Sequence, residues 1–386
     1  MGVASYPAFD LNDWIPGISA ERFKELNEDP RIPLLGRAFR GMYPPASTFK
    51  IPVALACLES GKIDRWKTFD CSTSMYIGDR FFHNWNKYAE GHITVVQAIK
   101  RSCNTWFYAA ALQIGITPIS NMASKMGIGS ATGLPLAAEG AGFMPSNETA
   151  IAETGRMMFN GELASTSIGQ ARVLATPLQI ARMMAAVGNG GRLPEVRLVK
   201  HIQDLNNRIV KSIPTVEPRD LGISQESLEA VVKGMVAVVS AGDGTGKSAA
   251  ITHAQMAGKT GTGQWKLATN PANRQNIAWF AGFVPAGSPK YAYAVLYEGA
   301  PGERVSGGRK AAPLVKEVFN SIFENKTPEN ADEIAELEAV AAIDIDDEPR
   351  TVRAVPAPPV RATTPPPPPA ARKKPGLLQR LFGRRR

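Results

Sequence analysis

A chain of 386 residues with 44% hydrophobic and 20% charged residues is globular in character and long enough for one large domain or two ordinary ones. Its net charge of +9 invites a nucleic-acid surface, but ten of the 44 Lys and Arg lie in residues 350–386, where no Asp or Glu occurs. Residues 1–349 carry 34 basic against 35 acidic residues, which argues against a basic groove and against a nucleic-acid partner.

Residues 1–42, rich in Pro, Gly and Asn, read as an irregular approach. Residues 47–59 predict a helix with Ala46 or Ser47 at its start and Gly61 beyond its end; Pro52 lies inside it and predicts a kink. In "HITVVQAIKRSCNTWFYAAALQIG" (92–115) the three- and four-residue apolar spacing predicts two helices meeting near Ser102. Further helices are expected over 176–191, opened by Thr-Pro and closed by glycines, and over 226–240. Then the texture changes. Residues 253–265, 275–287 and 290–300 are short alternating or aromatic-rich runs between turn residues, and they predict three consecutive, antiparallel strands. An amphipathic helix over 307–325 closes the pattern. Helices first and a strand meander last indicate an α+β fold, an antiparallel sheet with flanking helices and a mainly helical insertion. From 326 an acidic stretch precedes a proline-rich basic tail (326–386), expected to be an extended, disordered linker. Its end, "LLQRLFGRRR", suits an anionic membrane surface or an acidic partner, or serves only as a solubilising tail.

Cys57, Cys71 and Cys103 show no CxxC spacing and allow one disulfide at most; with scattered histidines and no HExxH, neither a metal nor a cofactor is expected. No apolar run reaches the roughly 18 residues of a membrane span. "MGVASYPAFD" lacks the basic and apolar regions of a signal peptide, so the chain as it stands is expected to carry neither anchor nor export signal.

"AGDGTGKS" (241–248) resembles a relaxed phosphate-binding loop. Such a loop needs a strand before it and a long helix after it. Here a helix precedes it, so the glycines are read as a turn. Ser47 and Lys50, at i and i+3, share one helix face, where a desolvated lysine can take the proton of a hydroxyl. Alone, the pair is better read as an N-capping serine followed by a solvated lysine. Ser102-Cys103-Asn104 puts a hydroxyl and an amide where two helices meet. Lys259-Thr260-Gly261-Thr262 opens the first strand of the meander, where a glycine admits a substrate backbone and the flanking groups hold a carboxylate.

In this order, SxxK, SxN and KTG resemble the motif set of penicillin-binding proteins and serine β-lactamases. "SYPAFDLN", "YPPASTFK", "RSCNTWFY", "STSIGQARVLATPLQIARMMAAVGNGG", "AGKTGTGQ", "AWFAGFVPA" and "SGGRKAAPLVKEV" extend the likeness over residues 3–325 to the transpeptidase domain of elongation-type class B members, similar to penicillin-binding protein 2. That resemblance implies a domain over 1–325 and a peptidoglycan D,D-transpeptidase. Ser47 would be the nucleophile and Lys50 its base. Ser102 would relay the proton, Asn104 would hydrogen-bond the donor peptide or orient Lys50, and Lys259 would supply positive potential. Thr260 and Thr262 would bind the terminal carboxylate, with Gly261 between them. It implies stem peptides and β-lactams as ligands, a glycan polymerase and elongation-complex membrane proteins as partners, and the periplasmic face of the inner membrane as location. Water-using relatives, carboxypeptidases and β-lactamases, remain the alternative, as does a β-lactam-binding sensor; the hydrolases call for a glutamate, and Glu153 and Glu162 lie in the helical insertion. Cys103 is assigned to packing. The chain starts where the family's first hairpin finishes, so the strand over 290–300 is expected to lack a neighbour.

Overall fold

The structure, a computed structural model, describes residues 2–136, 138–266, 274–324 and 343. Within the segment expected to be irregular, Ala20–Glu28 forms α1, its first turn capped by Ser19, which accepts the Arg22 N–H. Only Leu26 of that helix is buried, so no apolar stripe announced it. The helix expected over 47–59 is two helices in series, a 3₁₀ turn at Ala46–Phe49 and α2 at Lys50–Glu59. Pro52 is thereby the third residue of α2. Its missing N–H falls in the first α-turn, and the expected kink is replaced by a change of helix type.

Four short strands follow: β1 (Phe69–Asp70), β2 (Ser74–Ile77), β3 (Arg80–His83) and β4 (His92–Ile93). β1 pairs with β4, and the β2–β3 hairpin lies between them in sequence. The helix pair is present as α3 (Val95–Arg101) and α4 (Asn104–Ile114), with Ser102 in a left-handed conformation at their joint. Gly115, at φ 83°, turns the chain directly into α5 (Ile116–Lys125). The insertion contributes α6 (Asn147–Thr154) and α7 (Asn160–Ser167). α8 (Pro177–Gly188) opens with the expected Thr-Pro, and Thr176 and Gln179 close a capping box.

Beyond α8 are two strand pairs, β5 (Arg192–Leu193) with β8 (Arg219–Asp220) and β6 (His201–Gln203) with β7 (Ile209–Ser212). α9 (Gln225–Ser240) leads to the three expected strands, β9 (Ala257–Lys266), β10 (Gln275–Val284) and β11 (Tyr291–Glu298). They form one antiparallel sheet in the order β11-β10-β9, with Lys259 opposite Ala281 and Thr262 opposite Ala278. Among the described residues β11 has one strand neighbour, β10. A π-turn at Gly307–Ala311 precedes α10 (Ala312–Glu324). α8 packs on β10 and β11, and α9 packs on β9 and α3. Trp106, Trp279, Phe49, Phe107 and Phe280 fill the core between helices and sheet. The α+β class expected from the sequence is the observed one.

Residues 325–342 and 344–386, with the proline-rich segment and the "LLQRLFGRRR" end, lie outside the described residues, so the expected disordered tail, Ile343 apart, lies there too. Ile343, within the stretch expected to make no core contact, packs against the core. Its N–H donates to Gln255 Oε1 at 2.8 Å and its carbonyl accepts from Gln255 Nε2 at 3.2 Å.

Candidate active site

The turn that carries Ser47 is clamped from three sides. Tyr43 bridges Ala175 through both backbone groups, each bond at 2.9 Å, and Trp279 Nε1 donates to the Pro44 carbonyl at 3.0 Å. Ala46 N–H donates to the Gly169 carbonyl at 2.9 Å, and Ala46 itself sits at φ 49°. A non-glycine residue in that region costs on the order of 1 kcal/mol, so the surrounding contacts hold the turn against its local preference. Ser47 is half-buried there, while Ala46, Thr48, Phe49 and Lys50 are buried.

Gly261 and Gly263 lie against the Ser47 turn. A Cβ on Gly261 would lie 3.3 Å from the Pro45 carbonyl oxygen and 3.0 Å from Trp279 Cβ; one on Gly263 would lie 3.0 Å from Ala46 Cβ. These glycines let β9 press against the Ser47 turn, so the room they provide is taken by protein as well as being near the cleft. Gly307 closes the same junction: a Cβ there would meet the Trp279 carbonyl oxygen at 2.2 Å, and its N–H donates to Thr262 Oγ1 at 3.2 Å.

Lys50, at the first position of α2, is fully buried, which removes the solvated-lysine alternative. Its Nζ donates to Asn104 Oδ1 at 2.6 Å, to the Ser102 carbonyl at 2.7 Å and to Ser102 Oγ at 3.3 Å. Lys259, also fully buried, reaches the same hydroxyl from β9, with Nζ to Ser102 Oγ at 2.8 Å and to the Thr260 carbonyl at 3.0 Å. The three sequence motifs therefore meet at one side chain, Ser102. Burial pulls Lys50 well below the usual ammonium range, and the charge of Lys259 pushes the same way. Burial lowers Lys259 to about 7. Two buried amines with disfavoured ammonium forms thus share the Ser102 hydroxyl, and Ser47, three residues before Lys50, is the half-buried hydroxyl of the adjoining turn; an amine held unprotonated in this way can accept a proton at neutral pH.

Thr260 is buried, and Thr262 faces solvent on the same strand. The turn read out of "AGDGTGKS" is confirmed: α9 precedes it, Gly244 N–H bonds the Ala241 carbonyl, and Lys247 Nζ bonds the Gly242 carbonyl. That turn nevertheless belongs to the site, because Thr245 Oγ1 lies 2.8 Å from Thr260 Oγ1. No motif announced Thr245, nor Asn84, whose Oδ1 accepts the Asn104 N–H at 3.0 Å.

Cys103 is more than packing. It forms a disulfide with Cys71, 32 residues away, with a Cα–Cα distance of 6.1 Å, and Cys57 is free and buried. Glu153 and Glu162 are held in ion pairs at the surface: Glu153 with Arg172, and Glu162 with both Arg156 nitrogens at 2.9 Å and the Phe159 N–H at 2.8 Å. The Arg156 bonds hold the Glu162 carboxyl at about 2, too weak a base to activate water at neutral pH. Among the described residues no group of three or more His, Cys, Asp or Glu is placed to hold a metal, and no helix is long and apolar enough to cross a membrane.

Residues 3–320 match the family model of the penicillin-binding protein transpeptidase domain. The peptidoglycan D,D-transpeptidase MrdA of Haemophilus influenzae is 31% identical over 341 residues, 85% of this chain and 52% of that protein. The chain thus spans about half the length of the curated relatives it matches. Among solved structures, the complex between penicillin-binding protein 2 and MreC from Helicobacter pylori superposes with a TM-score of 0.72 at 30% identity, covering 83% of this chain and 57% of that one. The imipenem acyl-enzyme of penicillin-binding protein A from M. tuberculosis gives 0.69 at 25% identity, covering 83% and 69%. With its three motifs drawn to one serine and residues 3–320 matched, the chain belongs to the penicillin-binding protein transpeptidase family, among its elongation-type class B members.

Proposed function

We propose that this chain is the catalytic region of a peptidoglycan D,D-transpeptidase that works through an acyl-enzyme on Ser47. The observation that carries the reading is the Ser102 hydroxyl shared by two buried lysines, Lys50 and Lys259, with Ser47 half-buried and accessible. Neutral Lys50 takes the Ser47 proton as Oγ attacks the D-Ala-D-Ala carbonyl. The Ser47 and Thr262 N–H groups stabilise the oxyanion, each donor worth on the order of 10²-fold or more. Ser102 passes a proton to the leaving D-alanine amine, with Lys259, Thr260 and Thr262 binding its carboxylate. A neighbouring stem's amine then attacks the ester, forms the cross-link and returns the proton to Ser47. Asn104 orients Lys50 through the 2.6 Å bond. β-Lactams mimic the same dipeptide, and their opened ring acylates Ser47.

A hydrolytic role is less well supported, since both glutamates considered for it are engaged with arginines, and the hydrogen-bond partners of Lys50 and Lys259 include neither. A β-lactam sensor acylates equally well; exchange of the terminal D-alanine for free D-amino acids separates it from the enzyme. The relative solved with MreC supports membrane proteins of the elongation machinery as partners, and a similar chain solved in a peptidoglycan synthase complex that coordinates polymerization and crosslinking supports a glycan polymerase. A disulfide supports the oxidising, periplasmic side of the membrane. We take 1–325 as the catalytic domain and 326–386 as its tail. Labelling with a fluorescent penicillin tests the reading: wild type should label and Ser47→Ala should not. Labelling that survives the substitution refutes it.

A further inference from the structure

Cys103 stands between Ser102 and Asn104, the two residues that hold Lys50. The joint they occupy is not a relaxed one. Ser102 is left-handed at φ 54°, which a non-glycine residue keeps only when its surroundings impose it. Much of that imposition comes from one direction, the segment around Cys71. Cys71 is fixed by backbone bonds to Gly91 (2.7 Å) and Glu90 (2.9 Å), and Glu90 in turn pairs with Arg101, the residue before Ser102. Thr105 Oγ1 donates to the Ser72 carbonyl at 3.1 Å. Asn84 spans the two sides: its Oδ1 accepts the Asn104 N–H at 3.0 Å and its Nδ2 lies 3.6 Å from Cys71 Sγ and 3.9 Å from Cys103 Sγ. The disulfide is the covalent member of this set.

We propose that the Cys71–Cys103 disulfide is a positioning element of the acylation site, holding the α3–α4 joint so that Ser102 and Asn104 present their acceptors to Lys50. The proposal rests on the acylation reading above. Only the oxidised chain has a complete site. Both sulfurs are fully buried, so the bond forms before or as the fold closes around it. In forming it, the two thiols give up two protons and two electrons to an existing disulfide, which departs as a dithiol. The reaction that must precede activity is therefore thiol–disulfide exchange with a disulfide-bearing oxidoreductase or an oxidised small thiol.

The test compares four proteins of full chain length: oxidised wild type, wild type unfolded and refolded under reductant, Cys71→Ala/Cys103→Ala, and Ser47→Ala. Thiols are counted under denaturing conditions, thermal melting is followed by circular dichroism, and penicillin acylation is resolved into binding and a first-order acylation constant. Oxidised wild type should show one free thiol and label, and Ser47→Ala should not label. The reduced protein and the double variant should still melt cooperatively and bind penicillin within about threefold of wild type, but acylate at least tenfold more slowly. Unfolding and refolding in oxidised glutathione should restore the rate to reduced wild type and leave the double variant unchanged. An acylation constant within twofold of oxidised wild type in either thiol-modified protein overturns the proposal, as do three free thiols in the active chain. Loss of cooperative melting in both overturns the positioning role as well, making the bond a general staple. Oxidised wild type that fails to label overturns the acylation reading itself and this proposal with it.

Discussion

Two kinds of buried cation lie in this molecule. Arg37 and Arg101, with side chains 12% and 18% exposed, are each paired with a carboxylate: Arg37 Nε with Glu298 at 3.0 Å, Arg101 with Glu90. Lys50 and Lys259 are more deeply buried, and among the described residues their partners are neutral oxygens only. A buried charge is normally compensated or neutralised. The arginines are compensated and stabilise; the lysines have no counter-charge, so burial disfavours their ammonium forms, which suits Lys50 to act as a base and brings Lys259 to about 7. Fold stability and chemistry are thus carried by cations of different kinds at different places.

The comparison breaks most visibly at Lys50. Lys50→Met keeps the volume and the apolar stem against Phe107, whose ring centre lies 5.2 Å from Nζ, but removes the base. General-base removal costs about 10²- to 10⁴-fold, and a loss in acylation rate of that size is expected with no fall in melting temperature. Stability should rise, since a buried amine is exchanged for an apolar group. A variant that acylates within about tenfold of wild type would mean that another group takes the Ser47 proton.

Lys259 sharpens the same contrast through pH. Its folded pKa is lowered from 10.5 to about 7, so between those values the unfolded chain holds a proton that the folded chain lacks. Stability from this group therefore rises with pH across that window and is flat below it. Activity runs the other way. As the free protein loses the Lys259 ammonium above about pH 7, the second-order acylation constant should fall by up to about tenfold per pH unit. A bound carboxylate favours the ammonium, so the first-order constant should begin to fall only at higher pH. Profiles between about pH 6 and 9 for wild type and Lys259→Met check this; the substitution should remove the falling limb, and a limb that persists assigns the titration to another group.

How much of this was legible beforehand follows the same division. SxxK, SxN and KTG were readable because each is a local pattern on a recognisable element, and the sheet was readable because its strands are consecutive. What the sequence hid is long-range. Nothing local ties Thr245 to Thr260, or Asn84 to Asn104, since those bonds depend on how α9 and β3 pack. Cys71 and Cys103 could be counted but not paired, because pairing needs a Cα–Cα distance. Pro52 looked like a defect only while Ala46–Phe49 was taken for α-helix. Gly261 was assigned to substrate, when one of its duties is to let β9 approach the Pro45 carbonyl.

The compensated cations give the smallest effect and the most discriminating control. Glu298 lies at the end of β11 and accepts from Arg37 Nε at 3.0 Å and from the buried Tyr43 hydroxyl. Tyr43 is four residues before Ser47, yet the bonds that shape the intervening turn are its backbone bridge to Ala175 and the Trp279–Pro44 bond, neither of which involves Glu298. Glu298→Gln keeps an acceptor for Tyr43 and loses the charge facing Arg37, so it should cost about 1–2 kcal/mol of stability. Denaturant unfolding reads that loss, and acylation at a temperature where the variant is folded should stay within about twofold of wild type. If acylation instead falls tenfold while the melt is unchanged, the Arg37–Glu298–Tyr43 cluster acts on the nucleophile turn, and the separation between stabilising and reacting cations fails at the point where the two regions come closest in sequence.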